Sequence, residues 1–308
     1  MTASGTWRDE ARRIFQDGIR LDEPLDRHTS MGVGGPADAL FLPADLAELI
    51  RVVRFLRGHG LSGMPVGNWT NLFATDRGYR GALISLAKLR GIETAVDDAG
   101  DVAICAAAGL GLGELVDLCR RRGWAGLEFC AGIPGSVGGA VRMNAGAYGG
   151  ELKDVVRSIR LLDADGVPEI RTREQLSFEY RNLPLPEACI IVEATVHLRK
   201  GDRQKIAAEI AGILANRKAK HPLDRRSAGS IFKNPKGIPA GRLIEEAGLK
   251  GTRVGDAQVS EVHGNFIVNL GNARAADVIA LIETVRGTIL EQTGILLELE
   301  VKIIGDES

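Results

Sequence analysis

Long hydrophobic runs are missing from this chain: no apolar stretch reaches about 18 residues, so the sequence predicts no membrane-spanning helix. Charge of one sign is missing as well. The 39 Lys and Arg stand against 40 Asp and Glu, a formal net charge of -1, without the basic excess of a dedicated nucleic-acid binder. The four cysteines, Cys105, Cys119, Cys130 and Cys189, form no CxxC, and the five histidines form no HxxxH or HExxH, so a local metal motif is absent and no metal is expected. Three of the cysteines sit in apolar segments and read as buried, reduced thiols. The charged stretch Met1–Phe15 has no apolar signal core. Together these features predict a cytoplasmic protein with no membrane and no nucleic-acid partner.

Two nucleotide motifs are also absent. There is no GxxxxGK[ST]. Gly109-Leu110-Gly111-Leu112-Gly113 falls between a strand and a helix, but Glu114 takes the place of the third glycine of GxGxxG. An acidic side chain there would repel a pyrophosphate, which argues against a Rossmann site.

What the chain has is glycine: 39 of 308 residues, about 13% against roughly 7% in average usage. With only 11 prolines and no three-residue period, collagen and low-complexity linker are excluded. The glycines cluster between apolar runs, chiefly in Gly67-Asn68-Trp69-Thr70-Asn71 and in Gly132-Ile133-Pro134-Gly135-Ser136-Val137-Gly138-Gly139, which leads on to Asn144-Ala145-Gly146. Such loops expose backbone N–H groups that wrap a diphosphate, or they are tight turns; the residues alone leave both open.

A length of 308 residues suggests about two domains at roughly 150 residues each. Trp7, Ala11, Ile14 and Phe15 recur at helical spacing. Asp45 and Glu48 cap a second helix that ends at Gly58, and Met64–Val66 is a short strand, giving a βαβ unit with Ala37–Leu42. Val156–Leu162 and Val167–Arg171 form a hairpin about Asp165-Gly166, and Ile190–Leu198 alternates as a strand. The polar stretch Lys200-Gly201-Asp202-Arg203 marks a boundary. Helices follow around Ile206–Leu214, Arg242–Ala247 and Val278–Ile289. Ser227–Pro235 reads as a polar turn, and Leu296–Ile304 as the last strand, with Glu298, Glu300 and Lys302 on its polar face. Seven basic residues against one acid between Arg217 and Lys236 form a local positive patch suited to a diphosphate or carboxylate, or a plain exposed helix end.

These pieces, in this order, resemble the UDP-N-acetylenolpyruvoylglucosamine reductase family. The likeness is carried by Gly34-Gly35-Pro36-Ala37-Asp38, the two glycine loops, Tyr180-Arg181-Asn182, Ser227–Pro235, Leu243–Leu249, Ala257–Ser260, Asn265–Asn269 and Glu300–Gly305. The short spacing from Arg181 to Ser230 is similar to the compact type that lacks an inserted tyrosine loop.

The resemblance implies an α+β protein. A vanillyl-alcohol-oxidase (PCMH) type FAD-binding domain would span 1–200, in subdomains of about 1–86 and 87–200. A C-terminal α/β substrate-binding domain would span 201–308, with its last strand, about 296–305, packing back on the first. It implies non-covalent FAD, NADPH as hydride donor, a UDP-sugar enolpyruvyl ether as substrate, and a monomer. Gly67, Asn68, Thr70, Asn71, Gly132, Ile133, Pro134, Gly135, Ser136, Gly138, Gly139, Asn144 and Gly146 would hold the flavin. Tyr180, Lys220 and Asn234 would hold the substrate, and Arg181, Ser230 and Glu300 would be catalytic. A fixed cation and hydrogen-bond donors aimed at the charge that builds on the substrate carboxylate lower the barrier to hydride addition. Glu300 would donate as a neutral acid, and Ser230 would protonate the adjacent carbon. Two alternatives stay open: a flavin-dependent alcohol or sugar oxidase of the same fold, which usually carries a covalent flavin tether that no residue here can be assigned, and a non-catalytic flavin- or nucleotide-sugar-binding homologue. Trp69 departs from the pattern, which has glycine there, and is costly if the position needs φ > 0.

Overall fold

The computed structural model describes residues 4–96, 101–186 and 188–305. The chain begins with helix α1 (Ser4–Phe15), strands β1 (Ile19–Pro24) and β2 (Pro36–Phe41), helix α2 (Leu46–Gly58), and strands β3 (Gly63–Val66), β4 (Leu72–Ala74), β5 (Tyr79–Ser85), β6 (Ile92–Val96) and β7 (Asp101–Ala107). Helix α3 (Leu112–Arg122), strand β8 (Trp124–Ala125), helix α4 (Val137–Arg142) and the ribbon β9 (Gly146–Ala147) and β10 (Gly150–Glu151) follow, then β11 (Val156–Leu162), β12 (Pro168–Thr172) and β13 (Ile190–Lys200). The remainder holds α5 (Arg203–Lys220), β14 (Arg226–Ser230), α6 (Ala240–Glu246), β15 (Arg253–Val254), β16 (Ala257–Val259), β17 (Phe266–Asn269), α7 (Ala275–Thr293) and β18 (Lys302–Ile304). Among the described residues no helix is long and apolar enough to cross a membrane.

The fold is α+β, in two contact units. Unit 1 comprises residues 1–21, 38–68 and 81–215; unit 2 comprises 22–37, 69–80 and 216–308. The polar stretch at 200–203 is the turn from β13 into α5, and the units part further on, within α5.

Unit 1 is built on a six-stranded antiparallel sheet, order β12-β11-β13-β7-β6, with β8 added to β13. Strand β13 sets its register: Val192, Ala194, Val196 and Leu198 are buried, while Glu193 and Thr195 are half-buried and His197 is exposed. A period of two puts Ala194, Val196 and Leu198 on the face covered by α3 and α4, while Val192 packs in the core formed with α1 and α2. The β11–β12 hairpin turns where expected; Asp163 Oδ1 accepts from the N–H groups of Asp165 and Val167, and Gly166 takes φ +68. A second core packs α1 and α2 against parallel β3 and β5, with Phe15 edge-on to Phe41 and Phe55 at 5.2 and 5.3 Å. The Asp45 side chain accepts from Glu48 N–H, and Glu48 in turn accepts from Ala44 N–H, closing the start of α2. Glu114 pairs with Arg90 at 2.6 Å in the first turn of α3, so the glycine run before it presents a carboxylate rather than a phosphate cradle. Burial pushes the Cys119 thiol up to about 12 and raises Cys130 as well, leaving both as unreactive core thiols.

Unit 2 contains the sheet β14-β17-β16-β15, backed by α6 and α7, and the parallel pair β18 and β4. Two expectations change here. Residues 227–230 are not a turn but the end of β14, whose register shifts between Ser227 and Ser230 around Gly229 at φ +78. The last strand shortens to Lys302–Ile304. Residues 297–301 keep the in–out alternation, yet their backbone bonds go to the 231–233 segment: Lys233 N–H donates to Glu298 O and Glu300 N–H to Ile231 O, both at 2.8 Å. β18 then pairs with Leu72–Ala74, a strand that unit 2 takes from the early part of the chain.

Trp69 stands at φ +57, so the condition under which tryptophan is costly there is met. It is buried, its ring lies 5.3 Å from that of His28, and its carbonyl accepts from Ser30 N–H. The left-handed backbone costs about 1–2 kcal/mol, whereas emptying a buried tryptophan site costs about 3–5 kcal/mol. Packing wins. Trp69→Gly is expected to destabilise the protein by about 2 kcal/mol or more, seen as a lower urea midpoint; an unchanged or higher midpoint would mean that strain dominates.

Candidate active site

In unit 1 the two glycine loops meet at Gly67 and Ser136. A Cβ built on Gly67 would lie 2.4 Å from Ser136 Oγ, so any side chain there would have to displace the Ser136 hydroxyl. Gly138 donates its N–H to Ala108 O, and a Cβ there would strike Ala108 at 2.6 Å, so it serves to seat α4 on the end of β7. Gly132 and Gly135 take φ +73 and +139. Among the described hydrogen bonds, the backbone N–H groups of Gly67, Asn68, Gly132, Gly135 and Ser136 have no protein acceptor, although Ser136 is buried. Buried donors of this kind are satisfied in nearly all native proteins. Orphaned N–H groups on loops too close-set for side chains fit a dinucleotide diphosphate, which the FAD expected here would supply.

Other residues expected at the flavin also make contacts within the protein. Asn144 is fully buried at φ +42, and its amide is spent on the protein: Nδ2 donates to Glu151 Oε2 (3.0 Å) and Glu179 O (2.9 Å), and Oδ1 accepts from Lys153 N–H (3.0 Å). Gly146 makes room for the β9–β10 ribbon, where a Cβ would meet Gly150 O at 2.5 Å. Ile133 packs against the core and Pro134 is exposed. Asn71, in unit 2, donates from Nδ2 to Glu300 O at 3.0 Å and accepts from Lys302 N–H through its own carbonyl.

Asn144 anchors the turn that carries Arg181. Glu179 and Asn182 exchange backbone hydrogen bonds of 2.8 and 3.3 Å, leaving Tyr180 and Arg181 at the tip, with Arg181 at φ +56. Arg142 braces the turn through Asn182 Oδ1 (3.0 Å) and the Leu183 carbonyl. The Arg181 guanidinium lies over the half-exposed Tyr180 ring, 5.2 Å from its centroid. A left-handed arginine over-determined by neighbours is the strained backbone often found at functional sites.

In unit 2 a cavity of about 370 Å³ is lined by Lys220, Ser230, Asn234, Arg242, His263 and Asn265, among others. It gathers Ser230 with two residues expected to hold substrate, Lys220 and Asn234. Asn265, given no site role by the sequence, builds the wall: its Oδ1 accepts from Phe232 N–H at 2.9 Å and its Nδ2 donates to Phe232 O at 2.8 Å. That clamp, with Glu300 N–H on Ile231 O, fixes the Ser230 and Glu300 backbones one hydrogen bond apart. The wider basic patch does not converge. Lys233 pairs with Glu298 and Arg225 with Asp224, Arg226 covers Gly32, and of the seven only Lys220 lines the cavity.

Behind the cavity His221 packs edge-on to His263 at 5.4 Å and against Phe266 at 5.0 Å, with its Nδ1 buried and unpartnered. Desolvation, with the charges of Arg217, His263 and Lys220 adding, pushes its pKa down to about 4; His263 is lowered too, chiefly by burial. Both folded values lie below the unfolded value of about 6.5, so the unfolded state binds more protons over that interval. The neutral rings' contribution is therefore full above pH 6.5 and is lost as pH falls toward 4. His221→Phe keeps the packing and removes one of the two groups. Its melting temperature relative to the parent is expected to rise as pH falls from 7 to 4; a constant difference would refute the assignment.

Comparison with known proteins agrees with this geometry. Residues 221–304 match the family described as UDP-N-acetylenolpyruvoylglucosamine reductase, C-terminal domain, and residues 37–169 match the FAD binding domain. The chain is 53% identical over 300 residues to the UDP-N-acetylenolpyruvoylglucosamine reductase of Syntrophus aciditrophicus, covering 97% of this chain and 96% of that one. It is 45% identical over 296 residues to the enzyme of the same name from Heliobacterium modesticaldum, covering 96% and 93%. The crystal structure of UDP-N-acetylenolpyruvylglucosamine reductase from Thermus caldophilus superposes with a TM-score of 0.77 at 37% identity, over 93% of this chain and 98% of that one. With such identity sustained along nearly its whole length, the chain belongs to the UDP-N-acetylenolpyruvoylglucosamine reductase family.

Proposed function

We propose that this protein uses NADPH and FAD to reduce the enolpyruvyl ether of UDP-N-acetylglucosamine to UDP-N-acetylmuramate, a step of peptidoglycan synthesis. The observation that carries the reading is the cavity in which Ser230 stands beside Lys220 and Asn234, in a chain whose full-length relatives bear the reductase name. We assign flavin binding to residues 1–200 and substrate binding to 201–308, and place a monomeric enzyme in the cytoplasm, acting without membrane or nucleic-acid partners.

The chemistry FAD supplies when bound is hydride relay, from NADPH to the substrate's double bond. The loops with unspent N–H groups, from Gly67 and Asn68 and from Gly132 to Ser136, hold its diphosphate without an opposing charge. Arg181 keeps a permanent positive charge and a planar fork for the substrate carboxylate, where negative charge accumulates. Glu300, on a backbone tied to Ile231 and Asn71, hydrogen-bonds the same developing charge. Ser230 Oγ delivers the proton to the adjacent carbon. Lys220 and Asn234 bind the UDP portion.

The test is a spectrum and an assay. The purified protein is expected to be yellow with oxidised flavin and to oxidise NADPH only when the enolpyruvyl sugar is present. Colourless protein that binds no FAD, or NADPH oxidation indifferent to that sugar, would overturn the reading.

A further inference from the structure

Arg142 is the last residue of α4, a short helix that the core holds firmly. Val137, Gly138, Ala140 and Val141 are buried, and Ser136 Oγ accepts from Gly139 N–H at the helix start. Gly138 N–H on Ala108 O seats the helix on the end of β7. Arg142 therefore stands at the end of a fixed rod, exposed at the surface.

From there it holds the Tyr180–Arg181 turn with both backbone and side chain. Its carbonyl accepts from Leu183 N–H at 2.9 Å. Its guanidinium donates from a single nitrogen, Nη1, to Asn182 Oδ1 at 3.0 Å and to the Leu183 carbonyl. Asn182 passes the grip across the turn, since its Nδ2 donates to Glu179 Oε2 at 3.1 Å. Guanidinium, amide and carboxylate thus form a chain with a charge at each end, and both links are charge-assisted.

What the chain holds is strained. Arg181 stands at φ +56, inside a turn closed by backbone bonds of 2.8 and 3.3 Å between Glu179 and Asn182. The longer one, from Asn182 N–H, is weak by itself. An L-residue stays in the left-handed region only when its surroundings over-determine it.

We propose that Arg142 is a positioning residue for the reaction: by fixing Asn182 and Leu183 it keeps Arg181 left-handed and so aims the Arg181 guanidinium. The inference rests on the function proposed above and adds to it a residue that acts only through Arg181. Loss of the brace leaves the catalytic cation present but misaimed, and a misplacement of about 1 Å can cost 10²-fold in rate. Because one nitrogen makes both side-chain bonds, lysine can supply part of the brace, whereas methionine keeps the apolar stem and supplies none of it.

Half-reaction kinetics and hydrogen exchange on the FAD-loaded protein test it together. Arg142→Met is expected to slow the enolpyruvyl-sugar half-reaction about 10- to 100-fold, with the NADPH half-reaction at the parent rate and the flavin spectrum unchanged. Asn182→Ala, which removes the acceptor instead of the donor, is expected to give the same pattern, and Arg142→Lys to recover part of the loss. In an Arg181→Gly background, Arg142→Met is expected to slow the sugar step no further, since the residue it positions is gone. Amide exchange in Arg142→Met is expected to quicken at Asn182 and Leu183 and to keep the parent rate in β11 and β13. Parent-like sugar kinetics in Arg142→Met, no rescue by lysine, an undiminished effect in the Arg181→Gly background, or unchanged exchange at Asn182 and Leu183 would each overturn the role. Failure of the enzymatic reading is separable: the parent would then not turn over the enolpyruvyl sugar, while the exchange rates still report on the brace.

Discussion

Ser230→Ala is expected to leave the NADPH half-reaction at the parent rate and to slow the enolpyruvyl-sugar half-reaction by a hundredfold or more. A positioned general acid contributes about 10²–10⁴-fold. The substitution deletes one oxygen from a half-buried residue at the end of β14 and leaves its backbone untouched. Ser230 pairs across the sheet with Phe266, Ile231 N–H donates to Asn265 O, and Asn265 grips Phe232 on both sides, so the strand does not depend on the lost hydroxyl. The effect should therefore fall on proton delivery alone. Following flavin absorbance by stopped flow, first with NADPH and then with the sugar, separates the halves. Parent-like reoxidation by the sugar would remove Ser230 from the chemistry; an equal slowing of both halves would point to disturbed flavin instead.

How much of this was legible in the sequence depends on the range of the interactions involved. Elements made by local rules were legible: the alternation of β13, the Asp163–Gly166 hairpin turn and the Asp45–Glu48 cap all rest on residues within a few positions of each other. Strand β6 went unread because all five of its residues are exposed at the edge of the sheet, so no apolar alternation marks them. Strand β14 went unread because Arg-Ser-Ala-Gly-Ser has turn composition and becomes a strand only by pairing with β17. The site divides along the same line. From residues alone Ser230 belonged to a polar turn, and only the family likeness gave it and Arg181 roles. Asn265 clamps a backbone 33 positions away, and the cavity edge of His263 is set by a ring contact with His221, 42 positions earlier; no spacing rule reports either. Asn144 shows how little a loop position says about a side chain's partners: it follows a glycine loop, and its amide bonds to Glu151, Lys153 and Glu179.

Arg181→Gly is expected to abolish most turnover while leaving stability within about 1 kcal/mol of the parent, a combination that separates chemistry from folding. At φ +56 an L-residue pays a steric cost that glycine does not, roughly 1–2 kcal/mol. Against that gain stand the greater freedom of glycine in the unfolded chain, about 0.5–1 kcal/mol, and the cation–π contact with a half-exposed Tyr180 ring, about 0.5–1 kcal/mol. These terms nearly cancel. The turn itself is held by Asn144, Arg142 and the paired backbones of Glu179 and Asn182, none of which the substitution touches. Turnover has no such compensation: removing a fixed donor to a developing oxyanion costs about 10²–10³-fold, and in the proposed mechanism the guanidinium also supplies a full charge to the substrate carboxylate. Arg181→Lys restores charge but neither the fork nor relief from the left-handed backbone, so its turnover should fall between the two. A glycine variant that melts with the parent and turns over at the parent rate would remove Arg181 from the mechanism; one that unfolds would show that the arginine holds the turn rather than the reaction.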